Sequence, residues 1–148
     1  MGVSMNYNAA FFGLFENTFK LLKKEYGEEI ALKHFTTLME QGLSKSYGND
    51  FEKGNPEIFK QLVGKRDELV GLRVEFPIVT SNEMVYRFLD DPFPNLKKET
   101  RSNLLDQCYM NFKVKYILGD EWDYKTTKHI WSGDEYTEHR IYKKQLYS

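Results

Sequence analysis

Tyr124-Lys-Thr-Thr-Lys-His-Ile-Trp-Ser-Gly-Asp-Glu-Tyr-Thr-Glu-His-Arg-Ile-Tyr142 decides the fold, because two alternating segments flank a Gly-Asp pair in the manner of a β-hairpin. With Gly133 and Asp134 as a two-residue loop, the register pairs Ser132 with Glu135, Ile130 with Thr137 and Lys128 with His139. Strand side chains alternate between faces. One face then carries Tyr124, Thr126, Lys128, Ile130, Thr137, His139 and Ile141; the other carries Lys125, Thr127, His129, Trp131, Tyr136, Glu138, Arg140 and Tyr142. A ribbon that places His, Lys, Arg and Thr on both faces is suited to lining a pocket.

Upstream, Leu72, Val74, Phe76 and Ile78 alternate with Arg73 and Glu75, and Pro77 marks an edge strand. Ser81-Asn82-Glu83 turns the chain into a return strand, so residues 72–90 form a first hairpin with Met84, Tyr86 and Phe88 on one face. Before it, the period is helical. A first helix runs from about Asn8 to Tyr26 with Phe11, Phe15, Thr18 and Leu22 as its stripe, and Gly27 stops it. A second helix starts at Glu28 or Glu29, stripes Ala31, Phe35, Leu38 and Gly42, and ends at Gly48. Asn55-Pro56 caps a third that reaches about Leu69 and buries Ile58, Phe59, Leu62 and Val63. Pro92 and Pro94 make residues 90–96 an irregular linker. A fourth helix then spans about Lys97 to Leu118, with Leu105, Cys108, Tyr109, Phe112 and Tyr116 on its stripe, before the last hairpin at 123–143.

This order predicts an α+β fold in which two hairpins join into a four-stranded antiparallel sheet covered by four helices, within one domain spanning residues 1–148. A chain of 148 residues suits one core and buries roughly 70% of its unfolded surface. No glycine-rich phosphate loop follows a strand, which excludes a dinucleotide-binding sheet. Lys plus Arg number 21 against 22 for Asp plus Glu, so no net field gathers nucleic acid or an acidic membrane. Aromatic residues make up 16% of the chain, a large supply of rigid groups for a core or a cavity wall. The single cysteine, Cys108, forms no internal disulfide and no cysteine zinc cage, which points to an intracellular, cytoplasmic protein. The opening segment Met1-Gly-Val-Ser-Met-Asn-Tyr-Asn8 lacks the pattern of a leader, and no window reaches about 18 uninterrupted apolar residues. A soluble protein is expected. Neither a metal nor a cofactor is.

Seven residues stand out for chemistry. Cys108 offers a thiol, although its place on an apolar stripe suits an inert hydrophobe equally. His139 exchanges protons near neutral pH and would sit beside Lys128 and Thr137. His34 lies one position off its helical stripe, where packing is the commoner role. Arg87 alternates with Tyr86 and Phe88 and could grip a carboxylate, the competing role being a pair with Glu75 or Glu83. His129 and Glu138 would be cross-strand partners, too few for a metal. Tyr109 shares the stripe of Cys108.

Thr126 to Ile141 resembles the end of the L-2-amino-thiazoline-4-carboxylic acid hydrolase family, as do Lys24-Glu-Tyr-Gly-Glu-Glu29, Ala31 and Leu105-Asp-Gln-Cys108. The resemblance covers roughly Phe15 to Tyr142 through short motifs. It implies membership of a wider group of antiparallel α+β ligand-binding domains that includes vinyl-reductase-type domains and haem-type nitric oxide sensors. It also implies hydrolysis of a carbon-nitrogen bond, the opening of a thiazoline ring by water. The chain departs from the family where Thr137 stands in place of a common cysteine, so Cys108 is the thiol left. His34, His129 and His139 lie in no recognisable haem motif.

Three functions follow as expectations. In the first, the chain hydrolyses a small carboxylate-bearing heterocycle, with Arg87 or Lys128 holding the carboxylate, Thr137, Tyr109 and His34 lining the site, and His139 or Cys108 handling proton or nucleophile. In the second, the same pocket binds or senses a small molecule without turnover. A third is a protein-interaction module presenting Trp131, Tyr136 and Tyr142. The partner is a small molecule in the first two, and self-association into a homo-oligomer is left open.

Overall fold

A computed structural model describes residues 7–145; residues 1–6, within the segment read for a leader, and 146–148 lie outside the described residues. Helices α1 (Ala9–Tyr26), α2 (Glu28–Tyr47) and α3 (Pro56–Leu69) precede strands β1 (Val74–Val79) and β2 (Glu83–Phe88); α4 (Ser102–Ile117) separates these from β3 (Trp122–Lys128) and β4 (Thr137–Lys143). The four strands form one antiparallel sheet in the order β1-β2-β4-β3. Both hairpins are present, joined through β2 and β4, and the result is the α+β architecture read from the sequence. Helix α4 packs on β3 and α3 on β1, while α2 packs on α4 and α1 on α2.

Local chemistry sets the boundaries. Asn8 Oδ1 accepts from the Phe11 amide at 3.0 Å, and Asn55 Oδ1 accepts from the Glu57 amide at 3.0 Å, each satisfying a free donor of a helix start. Gly27, at φ 94°, lets one residue both end α1 and begin α2. The fourth helix begins at Ser102 rather than Lys97. Pro94–Leu96 form a short 3-10 turn first, since Pro94 supplies no amide and suits the first position of a turn.

The buried stripe of α1 differs from the predicted one by one position, and that of α2 departs from it after Phe35. In α1 the buried residues are Phe12, Glu16 and Phe19, with Phe11, Phe15 and Leu22 half-buried; in α2 they are Ala31, Phe35, Met39 and Leu43, with Leu38 and Gly42 exposed. In β1 the register shifts between Glu75 and Ile78, at Pro77, so Ile78 turns to solvent and Val79 inward. Proline removes a ladder donor, and β1 is an edge strand.

The register of the last hairpin also differs. Lys128 pairs with Glu138 and Thr126 with His139, while His129 leaves the strand and residues Ile130–Ser132 form a 3-10 turn. The turn is held locally. His129 Nδ1 accepts from the Trp131 amide at 3.0 Å, Asp134 Oδ2 accepts from the His129 amide at 2.8 Å, and Gly133 takes the left-handed φ of 97°.

The linker is tied down despite its irregular backbone. Glu16, buried on α1, accepts from the Asn95 amide at 2.7 Å and from Asn95 Nδ2 at 3.0 Å. Tyr7 Oη donates to Pro92 O at 2.9 Å, Lys23 Nζ to Glu99 O at 2.7 Å, and Arg73 grips Asp90 with Nε and Nη2. Phe93 is thereby pressed into an aromatic cluster with Phe12, Phe15 and Phe35. Aromatic edges and faces attract in such arrangements, which adds to the burial itself.

Candidate functional site

The sheet turns Met84, Tyr86 and Phe88 of β2 and Thr137, His139 and Ile141 of β4 toward the helices, and all six are buried. Opposite them, α4 presents Leu105, Tyr109 and Lys113 at a spacing of four, and α3 presents Phe59, Val63 and Asp67 at the same spacing. A helix buries what the spacing dictates, so Lys113 and Asp67 enter the interior with their neighbours although both are ionisable. Lys113 is 2% exposed and Asp67 0%. Buried charge is costly unless it is paired or hydrogen-bonded, so these positions mark a polar centre inside an aromatic shell.

Two polar chains cross that interior. In the first, Lys113 Nζ donates to Tyr86 Oη at 3.0 Å, and the Tyr86 hydroxyl donates in turn to Asp67 Oδ2. The Asp67 carboxylate also receives Arg66 at 3.5 Å. The Lys113 ammonium lies 5.1, 5.4 and 5.2 Å from the ring centres of Tyr86, Phe88 and Tyr109, within cation-π range. Burial pushes its pKa down to about 8, against an upward pull from Asp67. In the second chain, Asp106 accepts from Tyr109 Oη at 2.9 Å and lies 3.0 Å from His129 Nε2. Because His129 Nδ1 already accepts from the Trp131 amide, Nε2 carries the proton and donates. Trp131 Nε1 donates to Asp91 Oδ2 at 2.7 Å, and burial holds that carboxyl above its ordinary range.

His139 lies between the two chains. It is 0% exposed, faces the rings of Tyr86, Phe88 and Tyr124, and bonds through Nδ1 to Thr126 Oγ1 at 2.9 Å. Its Nε2 has no hydrogen-bond partner among the described residues. Burial pushes its pKa down to about 4, so the ring is neutral at pH 7. A buried polar atom without a partner loses its hydration for nothing, and such atoms are rare in native interiors.

Two small cavities of about 10 Å³ each lie along the two chains; His139 itself lines neither, but the Phe88 ring that it faces borders both. One is lined by Lys113, Asp67, Arg66, Phe12 and Met39, the other by Asp106, His129, Trp131, Leu105 and Thr137; Phe88, Pro92, Phe93 and Tyr109 border both. Each has room for about one water.

The structure brings together some of the sequence-predicted residues and separates others. His139, Thr137 and Tyr109 meet at the interior, with Thr137 Oγ1 accepting from the Ile130 amide at 3.1 Å. Arg87 and Lys128 lie on the opposite face of the sheet. Arg87 Nε donates to Glu138 Oε1 at 2.8 Å, rather than to Glu75 or Glu83, and both cations lie over the Tyr136 ring. Lys128 is not beside His139; that position belongs to Thr126. Cys108 is 6% exposed and faces α2, its thiol near Leu32 O at 3.6 Å and Leu104 O at 3.4 Å, and burial pushes its pKa up. His34 is exposed on α2. His129 pairs with Asp106 and not with Glu138, and Trp131 is half-buried against Asp91. Sequence reasoning missed Lys113, Asp67, Asp106 and Tyr86; for the first two the signal was their spacing on buried stripes. Among the described residues no group of three or more His, Cys, Asp or Glu is placed to hold a metal. Among the described residues no helix is long and apolar enough to cross a membrane.

Comparison with known proteins places the fold and not the family. The chain is similar to the crystal structure of the phenol-responsive sensory domain of the transcription activator PoxR with phenol, at a TM-score of 0.61 and 12% identity over 93% of this chain and 74% of that one. It has a slighter likeness, with a TM-score of 0.48 and 12% identity over 94% of this chain and 98% of that one, to a trafficking protein particle complex subunit 3 from Naegleria fowleri covalently bound to palmitic acid. No protein-family model and no curated protein matches the chain, so the hydrolase resemblance gains no support.

Proposed function

We propose that the chain is a small-molecule-binding module of the sensing kind, which takes a single-ring aromatic compound into the chamber between α4 and the sheet and does not turn it over. The observation that carries this is His139 Nε2, a buried nitrogen without a partner among the described residues, set among aromatic rings beside a second buried donor at Lys113. Apolar walls with a few convergent polar groups are the usual form of a small-molecule site. The PoxR sensory domain, whose fold this chain shares, holds phenol, which supports a ligand of that size.

The two cavities are too small for a ring as they stand, and they share Phe88, Pro92, Phe93 and Tyr109. Outward movement of Pro92 and Phe93 merges them into one chamber, and the linker that carries these residues is the element to move. Hydrolysis needs a nucleophile and a base within hydrogen-bond reach of each other. Cys108 bonds to backbone carbonyls of Leu32 and Leu104 while His139 bonds to Thr126, so the two are not so arranged.

The test is thermal unfolding with phenol, benzyl alcohol, benzamide and benzoate in turn. A ligand that binds only the folded chain stabilises it by about 2.7 kcal/mol at a hundred times its dissociation constant. At least one of the four is expected to raise the Tm of the wild-type chain, and His139→Leu to reduce that rise. No rise with any of them refutes the proposal.

A further inference from the structure

The Lys113 ammonium is short of acceptors. An ammonium has three donors, and among the described residues Lys113 has one hydrogen-bond acceptor, Tyr86 Oη, with three ring faces around it. Among the described residues no carboxylate lies within 4.0 Å of it. The nearest acidic groups are already engaged: Asp67 by the Tyr86 hydroxyl and Arg66, and Asp106 by Tyr109 and His129. One corner of the chamber therefore holds Arg66 and Lys113 against the single carboxylate of Asp67. Asp106 also acts on the ammonium but makes no contact with it within 4.0 Å, so what this corner offers is ammonium N–H donors without acceptors, where a partner charge counts for more than it does at the surface.

We infer that the ligand is an anion, a single-ring aromatic carboxylate whose charge is paired by Lys113 and whose ring lies between Phe88, Phe93 and Tyr109. This rests on the proposed binding function and narrows it. A carboxylate offers about four lone-pair sites, which the free donors of Lys113 can share with His139 when Thr126 Oγ1 donates to Nδ1 and leaves the proton on Nε2. A neutral phenol or amide can accept a hydrogen bond from the ammonium but brings no charge to pair with it. Arg87 and Lys128, the basic residues first expected to hold a carboxylate, lie outside the chamber with Tyr136 and Glu138.

Binding of an anion must hold a proton on Lys113. The groups facing its ammonium are Asp67 and Arg66 from α3, Tyr86 from β2, His139 from β4, and Asp106 and Tyr109 from its own helix. Tyr47 of α2 faces Asp67 in turn. Without ligand, burial sets the lysine near 8; a bound carboxylate raises it, so affinity is full below that pH and is lost as pH rises through and beyond it.

The experiment is calorimetric titration of the wild-type chain and Lys113→Met with benzoate and with benzamide, the uncharged isostere. In the wild type at about pH 7, benzoate is expected to bind at least about tenfold more tightly than benzamide, a difference of about 1.4 kcal/mol. Lys113→Met is expected to lose that preference, benzoate then binding no more tightly than benzamide. Should the variant fail to fold, the wild type alone decides, because titrations at about pH 8 in buffers of different ionisation enthalpy report proton uptake on benzoate binding and none with benzamide. Benzamide binding as tightly as benzoate, or benzoate binding without proton uptake, overturns the anion inference and leaves the binding function standing. Binding of none of benzoate, benzamide, phenol and benzyl alcohol overturns both.

Discussion

Placing His139 wholly inside the protein makes folding stability depend on pH in a way that one substitution should remove. The imidazole titrates at about 6.5 when exposed and at about 4 in the folded chain, so the unfolded chain binds the proton more tightly. Stability contributed by the neutral ring is complete above pH 6.5 and is lost as pH falls toward 4. Linkage between those two values makes the loss about 2 kcal/mol by about pH 5 and about 3 kcal/mol once both forms are protonated. Other groups titrate in this range as well, but they are common to the wild type and to His139→Gln, whose side chain carries no proton in either state. The assay is urea unfolding followed by tryptophan fluorescence, at about pH 7.5 and about pH 5, for both proteins. Wild type is expected to lose about 2 kcal/mol more than the variant across that interval. Equal losses would mean that His139 is not buried and neutral, and would remove it from the chamber.

Three further outcomes follow from the same geometry. Glu16→Ala frees Asn95 and with it the linker carrying Phe93, so stopped-flow measurements should show faster ligand association and faster release, with a stability loss of about 1–3 kcal/mol from the lost hydrogen bonds to the carboxylate. Arg87→Ala removes a partly exposed pair with Glu138 on the far face of the sheet; it should cost under about 1 kcal/mol in urea unfolding and leave ligand affinity unchanged. Cys108, buried with its thiol pKa raised, should react with iodoacetamide in the folded chain far more slowly than in urea, and equal rates would contradict its placement.

Much of the architecture was legible because short-range chemistry specifies it. Asn8, Gly27 and Asn55-Pro56 act on their own neighbours, and the alternation after Gly71 needs no distant contact to be recognised. The stripes shifted where apolar residues crowd together: in Ala9-Ala-Phe-Phe-Gly-Leu-Phe15 several helical phases bury aromatic rings, and the contacts of Phe12 with Tyr7 and Phe93 decide among them. The last hairpin was misregistered because a two-residue loop ignores the polar side chains of His129 and Asp134, which bond to the backbone and wind the chain into a longer turn. Half of the candidate site was legible. The inward strand with Thr137 and His139 followed from alternation. Lys113 and Asp67 were passed over because charge on a helix usually faces water, yet each falls four residues beyond a buried aromatic or aliphatic residue. A residue whose type contradicts its spacing is where local and global preferences disagree, and such places are often functional.

The central claim is that a ligand entering between α4 and the sheet meets the free nitrogen of His139. Imidazole nitrogen shifts in the ¹⁵N-labelled chain, recorded with and without benzoate or phenol, test it most directly. The account predicts that Nε2 of His139 moves on binding while the ring nitrogens of exposed His34 stay in place. Binding that leaves the His139 nitrogens unmoved would put the ligand elsewhere and contradict the account.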